Sequence, residues 1–182
     1  MKGTHVRYVH WRPVVQRPAR QTVLLAGRNA RTTALTAVHV DGTLRWQRRL
    51  VGSTGGGFAA GRSLLVDQST GNLFLSGPDS YDQGEPEQFT TIALAPQGRQ
   101  RWSTSSTAPQ GSGFAAGPGV LDPATGRLSV AANNQIVGAD ERVTYRAALF
   151  TYEPQGQVRA SSLFAGVRES FTETVSLDPR LG

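Results

Sequence analysis

The 182-residue chain has no cysteine, which excludes disulfides, thiolate metal sites and cysteine nucleophiles together. Compartment stays open, since exported proteins do not require disulfides. No run approaches the roughly 18 apolar residues of a membrane-spanning helix. Residues 1–23 hold no continuous apolar core of the secretory type, so no address is visible. No segment combines sustained helical periodicity with an N-cap ahead of an apolar stripe. Lysine is nearly missing: Lys2 stands alone among nineteen Lys/Arg, a ratio that fits GC-rich coding better than selection for guanidinium chemistry. Acids are scarce at the front, where Asp41 faces eleven Lys/Arg up to Arg62, and the net +6 is therefore N-terminal in origin.

What the chain does have is repetition. Trp46 recurs at Trp102, and Gly57-Phe58-Ala59-Ala60-Gly61 recurs at Gly113-Phe114-Ala115-Ala116-Gly117, a spacing of about 56 residues. Asp67, Asp122 and Asp178 each stand four residues before a glycine (Gly71, Gly126, Gly182). With 38% apolar and 8% aromatic residues the chain is globular, and its period implies one supersecondary unit used repeatedly.

Overlaying the repeats gives a four-segment unit. Residues 58–66 are small and apolar, 67–71 form a turn, and 72–76 alternate in the manner of a half-buried strand. A loop rich in acids and turn formers (78–88) leads to a third strand, 89–95. The turn Pro96-Gln97-Gly98 leads to a fourth strand, 99–104, which carries Trp102. The second unit repeats the order over 113–164. At the ends, 22–26, 34–40 and 44–50 match strands two to four of a unit without its first strand. Residues 171–177 match a first strand with nothing after it. The expected fold is all-β: three four-stranded antiparallel units at about 57–106, 113–164, and 22–51 joined to 170–182, so that one is split across the termini. Residues 1–21 remain as a basic N-terminal arm ahead of a repeat domain at 22–182.

Four-stranded sheets repeated at this length are the blades of a β-propeller. The run from Val66-Asp67 through Gly71-Asn72 to Ser76-Gly77, followed by Phe89 to Ala95, Pro96-Gln97-Gly98 and Trp102, resembles the bacterial β-propeller repeat family. The resemblance covers about residues 22–182. Departures are Arg127 where Asn72 stands, Asn133 near the place of Gly77, and Ala160 in place of Trp102. It implies a β-propeller-like array and an exported or cell-surface location.

The motifs that suggest chemistry have simpler explanations. Gly55 to Gly61 and Gly111 to Gly117 fit a relaxed dinucleotide pattern, but a phosphate loop must open a helix, and strand residues follow both. Small residues that let inner strands approach explain them better. Asp67, Asp122 and Asp178 offer one carboxylate per turn, too few for calcium, and each suffices to cap its own turn. His5, His10 and His39 lack the further ligands of a zinc site. No serine sits in a nucleophile elbow. The expectation is no metal, no cofactor and no catalytic constellation.

In a four-stranded meander the turns after strands one and three share one end, and the connections after strands two and four share the other. Only the second end carries long connections (52–57, 77–88, 103–113, 133–144, 165–170), and binding residues concentrate on such connections. The candidate ligand-binding residues are Asp79, Tyr81, Asp82, Glu85, Arg142, Arg168 and Glu169. The leading expectation is a non-catalytic binding or scaffolding module for a protein or glycan ligand. A propeller enzyme with a central-channel active site is the alternative. Binding of nucleic acid or another polyanion through the arm at His5, Arg7, Tyr8, His10, Trp11 and Arg12 is the second alternative. A homodimer that exchanges the split unit would complete a six-bladed ring.

Overall fold

In the computed structural model the described residues are 12–17, 22–28, 33–50, 63–79, 88–107, 113–138, 140, 142–164 and 176. They form twelve strands, with no helix among them. The strands make three separate four-stranded antiparallel sheets, each connected in simple up-and-down order. The first holds β1 (Arg12–Arg17), β2 (Thr22–Arg28), β3 (Thr33–His39) and β4 (Leu44–Leu50). The second holds β5 (Ser63–Val66), β6 (Leu73–Pro78), β7 (Gln88–Leu94) and β8 (Gln100–Thr107). The third holds β9 (Gly113–Leu121), β10 (Leu128–Val137), β11 (Val143–Tyr152) and β12 (Val158–Phe164).

The first sheet corrects the expected split unit. Arg12–Arg17, which reads as part of a basic arm, pairs with β2 from Arg12↔Ala26 to Arg17↔Thr22 and fills the first-strand position. Pro13 and the flanking arginines hide this strand from a pattern reading. Proline cannot donate to a ladder and so sits on edge strands or at bulges, and here the register shifts between Pro13 and Val15 on an edge strand. Residues 171–177, expected in that place, lie outside the described residues except for Ser176.

Alternation gives every sheet two usable faces, and the three sheets stack through them. Leu24, Leu35 and Ala37 of the first sheet, with Trp46, bury against Leu73, Leu75, Ile92 and Leu94 of the second. The other face of the second sheet, with Phe74, Phe89, Ala93 and Trp102, meets Leu128, Val130, Ala132, Phe150 and Tyr152 of the third. This second interface is aromatic: Phe89 stacks on Phe150 at 4.8 Å between ring centroids, and Phe114 meets both edge-on at 5.5 and 5.7 Å. Each such pair contributes about 0.5–1.5 kcal/mol beyond its buried area. The first strands of successive sheets are neighbours, β1 beside β5 and β5 beside β9. There the Gly113 to Gly117 stretch lies inside β9, and a Cβ on Gly117 would come within 2.8 Å of the Ala131 carbonyl oxygen. The close approach that this glycine permits is to β10 of its own sheet, beside the register shift between Val130 and Ala132.

Trp46 and Trp102 hold equivalent positions on the outer strands. Each stands opposite an alanine, Ala37 or Ala93, beside a one-residue register shift that leaves Arg45 or Arg101 as the extra residue. The two indoles do the same work. Trp46 Nε1 donates to the Pro96 carbonyl at 3.1 Å, and Trp102 Nε1 donates to the Pro154 carbonyl at 3.1 Å. Both rings therefore cross to the Pro-x-Gly turn of the next sheet. A neighbour on the same strand adds a second bond: Arg48 Nε to the Gly98 carbonyl at 3.3 Å, and Thr104 Oγ1 to the Gly156 carbonyl at 2.6 Å. Gly98 and Gly156 carry positive φ of 78° and 93°, and a Cβ would come within 2.9 Å of the Trp46 ring and 2.5 Å of the Trp102 ring.

At Gly42, which also has positive φ, at 86°, a Cβ would meet nothing within 4 Å among the described residues. Alanine there faces only the left-handed backbone penalty of about 1–2 kcal/mol. G98A and G156A add overpacking against the indole, about 1–3 kcal/mol more. Urea denaturation should rank both well below G42A in stability, and equal losses at all three sites would show that the indole contact is immaterial.

Candidate functional site

The two ends of the stacked sheets differ as the meander requires. Among the described residues one end holds only tight turns, closed by backbone bonds: the nitrogens of Gly42, Gly98 and Gly156 donate to the carbonyls of His39, Ala95 and Glu153 at 2.9, 2.9 and 2.8 Å. The aspartate turns lie here too. Asp67 Oδ1 accepts from Ser69 N at 2.9 Å and Ser69 Oγ at 2.7 Å, while Oδ2 accepts from Thr70 Oγ1. Asp122 accepts from Ala124 N at 2.9 Å and from Thr125 Oγ1. Asp41 accepts from Thr43 N and Oγ1 at 2.9 and 2.7 Å. These carboxylates bind their own turns. No group of three or more His, Asp or Glu side chains suited to a metal occurs among the described residues, and Asp178 lies outside them.

Partial burial pushes the Asp67 carboxyl up, but the donors on Thr70 and Ser69 outweigh it and the net shift is down from 3.8. Asp122 is also lowered, first by Thr125 and then by the Ala124 amide. Glu153 is lowered by Arg159 and Arg127, whose guanidinium groups lie 2.9 and 3.2 Å from its oxygens.

The other end holds the longer connections, and the candidate residues fare differently there. Asp79 is fully buried. Its Oδ2 accepts from Thr90 Oγ1 at 2.8 Å, and that hydroxyl lies 2.7 Å from Ser105 Oγ. Its amide donates to the Gln88 carbonyl at 2.8 Å, closing the base of the 80–87 connection. Asp79 is thus an anchor for that connection, held from β7, with Ser105 of β8 behind Thr90. Tyr81, Asp82 and Glu85 fall within 80–87, and Arg168 and Glu169 fall within 165–175; all five lie outside the described residues.

Arg142 is described, and its setting is a correction. The presumed loop at 133–144 is mostly strand: β10 and β11 pair through to Val137↔Val143, leaving a short hairpin in which Gly138 N donates to the Arg142 carbonyl at 2.8 Å. Asn133, Asn134 and Gln135 read as loop by polarity, yet ladder bonds satisfy their backbone groups. Arg142 is highly exposed, and its Nε lies 3.4 Å from Asp140 of the same hairpin, an ion pair of the weak surface kind. The structure does not bring Arg142 and Asp79 together: they belong to hairpins of different sheets.

Sequence reading missed the hydroxyl rows. Ser63, Ser76, Thr91 and Thr104 are successive ladder partners across all four strands of the second sheet. Ser63 Oγ donates to the Ser76 carbonyl at 2.6 Å, and Ser76 Oγ lies 2.9 Å from Thr91 Oγ1. Adjacent Thr90 and Thr91, and the run Ser103 to Ser106, were the available signal. Tyr152 closes this row from the third sheet, beside Thr91 and Ser106. Burial pushes its phenol up to about 12 against those two hydroxyls, and no bond of good geometry reaches its Oη among the described residues.

A cleft of about 40 Å³ lies between the first two sheets at the tight-turn end, lined by Thr22, Leu24, Ala37, Arg45, Leu73 and Pro96 among others. Arg45 Nη1 donates to Thr22 Oγ1 at 2.6 Å along its first-sheet wall. That space suits ordered water and falls far short of the roughly 300 Å³ at which small-molecule sites begin. No protein-family model matches the sequence, and no curated protein matches it significantly.

A lowered carboxyl pKa means that the unfolded chain binds more protons, so the stability it contributes is present above the ordinary pKa and is lost as pH falls through the folded one. For Asp67 and Asp122 this places the loss below about pH 4, starting from the ordinary 3.8. D67N/D122N should melt lower than the parent at neutral pH and lose less on acidification to about pH 2. A parallel acid profile for parent and variant would contradict the assignment. Y152F removes a buried hydroxyl without a good partner, so its melting temperature should equal or exceed the parent's. A drop equivalent to more than about 1 kcal/mol would instead mean that the hydroxyl is bonded.

Proposed function

We propose that the chain is a non-catalytic binding or scaffolding module of β-propeller type, with protein or glycan ligands taken at the end that carries the longer connections. One observation carries this reading: the recurring residues are consumed by holding sheet to sheet. Trp46, Trp102, Gly98 and Gly156 form the contact between sheets. The paired aspartates Asp67 and Asp122 cap turns. What varies from sheet to sheet is the far end, and that is where a repeat scaffold acquires recognition.

Stacking of four-stranded meanders with their first strands adjacent supports the propeller reading. Asp79 supports the placement of the binding end, because a buried anchor bonded to Thr90 fixes the root of the 80–87 connection. Tyr81, Asp82 and Glu85 are then the residues offered to a ligand, with Arg142 on the neighbouring hairpin.

The test is a glycan array and a set of purified candidate ectodomains, each probed with the parent and with a variant in which 81–86 is replaced by glycine and serine. Saturable, salt-tolerant binding by the parent that the variant loses at least tenfold, at unchanged melting temperature, is the expected result. Steep weakening with salt would favour the polyanion reading instead, and turnover of any ligand would favour the enzyme.

A further inference from the structure

The bulge on each outer strand requires an extra residue but not an arginine, and yet arginine stands there in all three sheets, as Arg45, Arg101 and Arg159. A charge at a bulge deters stray pairing of an edge strand, which accounts for the recurrence but not for what the first of these arginines meets. Arg45 lies in the wall of the cleft between the first two sheets, where its Nη1 donates to Thr22 Oγ1 at 2.6 Å. Its guanidinium makes no other bond among the described residues, so the rest of its donor fork is on offer. Gln97 lines the same cleft from the second sheet, exposed on its turn, and its backbone amide takes no partner among the described residues. Leu24, Ala37 and Leu73 supply the apolar part of the lining.

The surroundings are cationic. The outer strands β4 and β8 carry Arg45, Arg48, Arg49 and Arg101 and no acid. Arg48 Nε donates to the Gly98 carbonyl at 3.3 Å, beside Gln97, and Arg99 follows that glycine. Among the described residues the ion pairs belong to Arg127, Arg142 and Arg159, and none to these arginines. The carboxylates of the adjoining turns, Asp41 and Asp67, are engaged by donors of those turns. A cleft with charges of one sign and low-dielectric walls concentrates counter-ions. The second interface supplies a contrast. There Arg101 and Gln155 hold the places of Arg45 and Gln97, but Phe74 replaces Leu24 and packs on Trp102 at 6.0 Å between ring centroids. Glu153 replaces Ala95, with its carboxylate held by Arg127 and Arg159. A larger ring and a carboxylate thus stand where the first interface has a leucine and an alanine.

We propose that the cleft between the first two sheets is an oxyanion site that takes the terminal sulfate or phosphate group of a ligand, with the Arg45 guanidinium as its charged anchor and Gln97 and the Thr22 hydroxyl as further polar partners. A planar guanidinium meets two oxygens of such a group at once. The cleft volume of about 40 Å³ is room for about three waters at roughly 10–15 Å³ each. That admits one tetrahedral group and leaves the molecule bearing it outside. The cleft lies at the tight-turn end, so the inference stands or falls apart from any ligand on the longer connections.

Titration of the full chain with sodium sulfate, against sodium chloride at equal ionic strength, tests the site in an assigned NMR spectrum. The Gln97 amide and the Arg45 Nε–H should shift saturably with sulfate, while Gln155 and Arg101 at the second interface stay in place. A shift that does not saturate, that chloride reproduces, or that is equal at Gln97 and Gln155 would overturn the proposal, because it reports screening alone. R45Q should weaken sulfate binding at least tenfold at unchanged melting temperature, and R101Q should leave it as in the parent. Equal losses in the two variants would mean that general charge, not the cleft, holds the ion. Glucose 6-sulfate and glucose 6-phosphate then separate the two sources of the group: at least one should shift Gln97 saturably, and the tighter of them names the ester. If inorganic sulfate binds and neither ester does, the proposal fails, since the cleft then admits a free ion only. Should R45Q not fold, the comparison of Gln97 with Gln155 in the parent decides alone.

Discussion

The structure hangs on an indole lying flat against a glycine whose φ is positive. The glycine serves twice at once: its backbone sign is disfavoured for any L-residue, and its missing Cβ leaves the surface on which the ring rests. The same indole gives its only proton to a carbonyl two residues earlier in the turn, at Pro96 or Pro154. One side chain is thereby satisfied in both its apolar body and its polar edge, which is how tryptophan tolerates half-burial. The extra residue at Arg45 and Arg101, next to each tryptophan in the ladder, belongs to the same device, since a bulge bends its strand and re-aims the side chains beside it.

Once the rings are placed, the remaining contacts follow from alternation. Residues two apart on a strand share a face, so the stretch that puts Trp102 toward the third sheet also puts Thr104 there, and Thr104 reaches Gly156. The first interface is aliphatic and the second aromatic, so the sheets are built alike but are not interchangeable. Hydroxyl rows within the second sheet fill positions where an apolar side chain would have served packing alone. Bonded as they are, they fix the register of strands that hydrophobicity by itself would let slip.

Much of this was legible in the residues, and the failures are instructive. Strands in the second and third sheets could be read because alternation and turn residues coincide there. Arg12–Arg17 could not, because Pro13 and its charged neighbours mimic a disordered arm while the strand sits on an edge that tolerates both. Asn133 to Gln135 misled for a related reason: polarity signals a loop only where backbone groups are otherwise unpaired, and here they are paired. Asp79 reads as an exposed loop residue and is buried instead, since nothing local reveals that Thr90 lies within bonding distance. The tryptophan and the turn were each conspicuous. Their meeting was not, because 50 residues separate them and no periodicity encodes a contact between units.

That separation also orders events during synthesis. Trp46 has no seat until Gly98 has left the ribosome, and Trp102 has none until Gly156 has. At about 5–20 residues per second, each sheet waits roughly 3–10 s with its indole uncovered. The growing chain always exposes one unmated ring, on the sheet most recently completed, and the adjoining apolar face with it. The third sheet, with alanine at position 160 in the register place of the tryptophans, has no indole there to wait for such a turn.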